Sequence, residues 1–281
     1  MISTHEIHVF LGEPERQESV RRSVISAAIK EHKVAAVAAR NEGLAKELWC
    51  LEQTLEIQAK FLRAFDNLQH GNFYGAWSEL EQVEITFRFL DPHLKDPPAG
   101  FRLDFFREKT KQLQGLFPYR FFFSPEIIEH EKKCNICGAI VSIRNGCGHR
   151  VGEVYGGELC IRIVTKMSVV GMAIVTAPVQ KYSVLFVVDP ETGSSDHHNY
   201  SLLQYVMRRI RSPFDAWTYT WTKRLHSHSL FSGLGQGDSC PCKSGQTYGD
   251  CCAKAPGVML NHCEFTFDFV LPDDLLKIEF A

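Results

Sequence analysis

Apolar positions along the first third of the chain recur at helical spacing. Val20, Val24 and Ala28 would share one face of a first helix. Over residues 43–68, Leu44, Leu48, Leu51, Leu55, Leu62 and Phe65 alternate steps of three and four, with Gln58 filling one gap. His70-Gly71-Asn72 breaks the pattern. A third helix then carries Phe73, Trp77, Leu80, Phe87 and Leu90 inward, and the short loop predicts an antiparallel hairpin of the last two. Ahead of them, residues 7–11 read as a short strand. Asp96-Pro97-Pro98-Ala99-Gly100 is a stiff connector, and residues 101–114 read as a further helix. Five aromatics crowd residues 117–123; exposed, they would be insoluble, so they should plug the joint to the next part of the chain. Ser124-Pro125-Glu126 reads as a capped helix start, with the helix ending near residue 133.

Beyond Cys160 the period shortens to two. Residues 159–164, 169–176 and 182–189 are apolar runs of strand length. A helix over 202–210 would end in Arg208, Arg209 and Arg211, where cations suit the helix dipole. Over 214–225, Trp217, Tyr219 and Trp221 alternate with threonines, and Cys263, Phe265, Phe267 and Phe269 alternate with polar residues. The pattern predicts an α+β protein. A helical domain spans 1–123, and a mixed, mainly antiparallel β domain with two zinc knuckles spans 124–281, the second knuckle inserted between strands at 236–256.

Composition narrows the setting. The 281 residues are 44% hydrophobic and 23% charged, with a net charge of −2, so any nucleic-acid role must come from a local patch. No apolar run approaches the ~18 residues of a membrane span, so no membrane role is expected. The N-terminus lacks the basic start and apolar core of a signal peptide. Ten cysteines in such a chain argue for metal in a reducing compartment, which points to the cytoplasm.

The cysteines are grouped. Cys240, Cys242, Cys251 and Cys252 lie within thirteen residues, too short a piece for an apolar core. Four thiolates around one ion would fold it. Zinc is expected, and iron can substitute at an all-thiolate site. Cys134, Cys137, Cys147, His149 and Cys160 form a second group, with five candidate ligands for four places. Cys134, Cys137, Cys147 and His149 are the expected set, with Cys160 in reserve. A set with ligands to spare suits structural zinc better than catalytic zinc, which keeps an open place.

The first-named stretch resembles the SEC-C motif, the zinc knuckle at the C-terminus of the SecA translocation motor and on many bacterial proteins. Cys240, Cys242, Ser244, Gly245, Tyr248, Cys251 and Cys252 carry the resemblance. Lys243 departs from it, standing where glycine is usual, and Gln246, Thr247 and Gly249 stand where lysines are common. The resemblance covers about a twentieth of the chain. It implies a docking module for proteins, the SecB chaperone among them, and contact with nucleic acid or ribosomes in some members.

No Gly-rich phosphate loop, Gly-x-Ser-x-Gly or His-Glu-x-x-His occurs. The expectation is therefore a zinc-binding interaction protein, with a protein partner first. The alternative is nucleic-acid binding through residues 199–231, where five basic residues stand against Asp215 alone, among Trp217, Tyr219 and Trp221. A second alternative is a metal-dependent hydrolase built on Asp196, His197 and His198, joined by His226 and His228. Cys50 and Cys263 read as core thiols.

Overall fold

The computed structural model describes residues 2–188, 191, 193 and 195–269. The fold is α+β, with helices in the N-terminal part, strands later, and every described strand pair antiparallel. The chain divides into two compact units, Met1–Pro213 and a second from Phe214 onward. The expected boundary at 123/124 instead falls inside the first unit. There Phe122 begins a strand and is buried in a ring cluster on Trp77.

In the first unit, helices α1 (Thr4–Leu11), α2 (Ser19–Ala38), α3 (Glu42–Gln69), α4 (Phe73–Leu90) and α5 (Leu103–Gln114) surround a core centred on α3. Residues 7–11 are helical, not a strand. Ser3 and Glu6 form a reciprocal capping box that starts α1, a local signal outweighing the apolar run. The buried stripe of α2 is Ile25, Ala28, Ile29, Lys33 and Ala36, whereas Val20 and Val24 face solvent. Ala28 is thus buried as expected, but the stripe runs through Ile25 and Ile29 in place of Val20 and Val24, and Lys33 within it is paired with two carboxylates. Helices α3 and α4 form the predicted hairpin, joined through Gly71 at φ 74° and capped by Asn72. Gln58 is fully buried. It donates to the carbonyls of Leu11 and Phe101 and accepts from Gln17, so the polar gap in the stripe staples three segments to α3.

The aromatic run does plug a joint. Phe117, Tyr119 and Phe122 pack on Trp77, while Tyr119 also meets His198 and shares a hydroxyl hydrogen bond with Tyr200.

Residues 124–133 are strand, not helix. β1 (Phe122–Cys134) pairs with β5 (Arg162–Val175) along its whole length, from Phe122↔Val175 to Cys134↔Arg162. Long-range pairing overrides the local cap signal. Pro125 is tolerated because β2 (Ile140–Val141) covers the other edge of β1 only at Lys132 and Lys133. The two runs expected at 159–164 and 169–176 are largely this one strand β5. Leu159 belongs to a tiny hairpin of β3 (Val154–Tyr155) and β4 (Glu158–Leu159). Of the run at 182–189, only Val184 bridges to Phe122, and residue 189 lies outside the described residues. Side chains tie that segment to α4 instead: Trp77 and Tyr74 donate to the carbonyls of Lys181 and Tyr182. Helix α6 (Ser201–Met207) closes the unit, held to the end of α3 by Gln69.

The second unit is one antiparallel pair, β6 (Trp217–His226) and β7 (Val258–Phe267), in register from Trp217↔Phe267 to His226↔Val258. As expected, the knuckle lies between these strands in sequence. Cys263 is half-buried opposite Trp221, and burial pushes its thiol up to about 11. Cys50 is buried in α3 and pushed up to about 11 for the same reason.

Candidate metal centres

The first centre grows from the end of β1. Cys134 is the last strand residue. The chain then turns through Gly138 at φ 71°, whose amide donates to the Cys134 carbonyl at 2.8 Å. β2 returns along β1, and a loop through Gly148 brings up Cys147 and His149. One ligand atom from each of Cys134, Cys137, Cys147 and His149 lies within 4.8 Å of the others. Cys160 is left beside the group, not in it. Its fully buried sulfur sits 3.9 Å from that of Cys134 and accepts from Arg162 Nη1 at 3.3 Å. Arg162 Nη2 also donates to the His149 carbonyl at 2.6 Å, so one guanidinium clamps both halves of the loop. Desolvation opposes charge on Cys134, but the amides of Cys137 and Ile136 and the neighbouring thiols outweigh it and hold Cys134 down to about 6. Desolvation, then Cys134, pushes Cys160 up.

The loop is docked on helices. Gly156 N–H donates to Glu42 at 2.8 Å, and the His93 ring bonds the Gly152 carbonyl at 2.7 Å. Lys33 donates to Glu52 at 2.7 Å and to Glu158 at 2.9 Å. Gly157, at φ 70°, sits so close that an added Cβ would lie 2.7 Å from the Lys33 side chain. Gly156 and Glu42 lie 114 residues apart, Lys33 and Glu158 125, and His93 and Gly152 59, and nothing in local pattern announces these pairings.

In the second centre, Cys240, Cys242, Cys251 and Cys252 offer four sulfurs within 4.8 Å of one another. An ion ~2.3 Å from each sulfur of a tetrahedron sets the sulfurs about 3.8 Å apart. The observed separations of 3.3 Å (Cys240–Cys242), 3.5 Å (Cys242–Cys251) and 3.9 Å (Cys251–Cys252) bracket that value. The Ser244 hydroxyl and then Cys240 hold Cys242 down to about 6, whereas Cys240 and burial push Cys252 up to about 12. Cys240 and Cys252 are buried with Tyr248 and Val258, so the ligands are themselves the small core. Tyr248 donates its hydroxyl to His228 Nδ1 at 2.6 Å, and His228 Nε2 donates to the Ala255 carbonyl at 2.8 Å. Lys243 sits in the left-handed region at φ 60°.

Both donor sets suit a thiophilic ion such as zinc: three sulfurs and an imidazole, and four sulfurs. Such an ion would supply cross-links and charge neutralisation to these loops.

The remaining candidates are spent elsewhere. Asp196 accepts from Tyr200 at 2.6 Å and meets His198 at 3.0 Å, and His198 packs edge-on against Tyr119 and Phe186. Among the described residues, no group of three or more ligands forms at His197 and His198. His228 belongs to the knuckle. Arg209 is buried over the Tyr205 ring, so the five-cation stretch of 199–231 loses a phosphate contact, and it is divided between the two units. Sequence reasoning missed Arg162, Lys33, Glu42 and His93, none of which carries a ligand spacing.

No protein-family model, no curated protein and no solved structure matches this chain. No helix among the described residues is long and apolar enough to cross a membrane.

Proposed function

We propose that this is a zinc-binding interaction protein: one zinc staples the β1–β5 loop to the helices, and a second folds a knuckle that docks another protein. One observation carries the reading. Each centre closes four protein donors on one point, which leaves no open place for substrate or water and so favours structural over catalytic metal. The likeness of Cys240, Cys242, Ser244, Gly245, Tyr248, Cys251 and Cys252 to the SEC-C motif supports the docking role and a bacterial, cytoplasmic setting. Lys254 is paired with Asp250, so the knuckle has little positive charge with which to steer toward an acidic surface such as that of SecB. Its partner is a neutral or basic protein surface.

Elemental analysis of the purified protein tests the metal, with zinc expected. Quantitative affinity capture from the native host, comparing the intact chain with Cys251→Ser, tests the docking. A partner retained equally by the variant would remove the knuckle from the interface.

A further inference from the structure

The ribbon of β1 and β5 has two unlike faces. Directly opposed residues share a face. One face carries Ser124 with Ala173, Glu126 with Gly171, and Ile128 with Ser168; the Glu126 side chain lies over Gly171. The other pairs Phe123 with Ile174, Pro125 with Met172, Ile127 with Val169, and Glu129 with Met167. On this second face Pro125 is exposed, and Ile127, Met167, Val169, Met172 and Ile174 expose 39–66% of their surface. A two-stranded ribbon is marginal in water without a cover for its apolar side.

We propose that this face is where two copies of the chain associate, sheet against sheet about a two-fold axis. Area supports a second copy. Six such side chains leave on the order of 100 Å² each, so roughly 600 Å² per copy, at the top of the range for a monomer's largest apolar patch. Two copies face to face bury roughly 1,200 Å², the lower end of stable interfaces. Charge points the same way. The one ionisable residue of the face, Glu129, is paired with Lys132, and nearby Glu131 is paired with Lys166. The face offers nothing to select a charged partner, whereas an apolar stripe matches its own two-fold copy. Contact through the edges is disfavoured. Register shifts at Glu126/Ile127, Glu129/Glu131 and Glu131/Lys132 interrupt the ladder, and Pro125 lacks an N–H on the open edge of β1. The association therefore closes as a dimer and does not propagate.

Sedimentation of the zinc-loaded full chain from about 1 to 100 µM is the test, a range that detects dimers of micromolar affinity. A species of twice 31.9 kDa is expected. The double variant V169K/M172K should sediment as a monomer with the wild-type melting temperature and zinc content, because both side chains are exposed in the single chain. S168K, on the opposite face, should remain dimeric. A wild-type monomer throughout the range overturns the proposal, as does a V169K/M172K dimer or equal disruption by S168K. Zinc content measured on the same samples separates this outcome from failure of the metal assignment.

Discussion

At the residue scale, Lys243 is informative because its backbone does not suit its side chain. At φ 60° it occupies a conformation that costs a residue with a Cβ about 1–2 kcal/mol. Lys243→Gly should relieve that strain, offset in part by the greater freedom of glycine when unfolded. A net gain of about 1 kcal/mol is expected, read as a higher melting temperature or a tighter zinc competition curve. A loss would mean that the lysine side chain makes a contact worth more than the strain. Glu81 is a second such residue. It is buried in α4, with Oε2 lacking a hydrogen bond and Lys181 Nζ 3.6 Å away. Burial, only partly answered by Lys181, holds its carboxyl above the usual range. The folded state thus binds this proton more tightly than the unfolded one. The group costs nothing below the unfolded value of about 4.5, and its cost grows as pH rises through the folded value. Glu81→Gln should therefore be more stable than wild type at pH 7, with the difference vanishing near pH 4. Chemical denaturation at the two pH values measures it.

At the scale of elements, the two metal loops differ in what they hold. The first is bolted to α2, α3 and the segment after α4 through Lys33, Glu42 and His93. The second is packed on its own ligands, Tyr248 and Val258. Cys134→Ser should then lower the melting temperature of the helical unit. Cys251→Ser should leave that transition in place and unfold the knuckle. Calorimetry resolves the two, and an equal fall of both transitions in both variants would contradict the assignment. Lys33 gives the coupling a local probe. Removing it strands Glu52, whose side chain is 16% exposed, and loss of a partner from a buried pair costs up to about 3–5 kcal/mol, whereas Glu158 is 63% exposed and loses little. Lys33→Ala should consequently loosen zinc at the first centre as well as destabilise α2. Unchanged zinc affinity would show that helix and loop are not linked.

For the whole molecule, two complete ligand sets in two units predict two zinc equivalents per chain, held independently. Metal binding couples to folding of the piece that supplies the ligands. Titration with a chelator should therefore release zinc in two steps, each accompanied by the structural change of one unit. Release in one cooperative step would contradict independent binding.

The sequence by itself determined the parts whose chemistry is local. The α3–α4 hairpin was legible because its apolar period persists over many turns. The β6 and β7 strands were legible because their alternation is regular. The two groups of donors that could hold metal were legible because sulfur and imidazole at turn spacing have few other uses. Tertiary structure decided what depends on distant partners. Residues 124–133 carry a helix-start signal, yet nine paired positions on β5 make them a strand. The buried stripe of α2 takes in a charged residue because Lys33 finds Glu52 and Glu158, the latter 125 residues away. Cys160 and the ligands share residue type and region, and only the fold, which points its sulfur at Arg162, separates them. Local periodicity encodes which face of an element is apolar; it does not encode what that face meets, because that free energy belongs to pairs of residues the chain brings together only on folding.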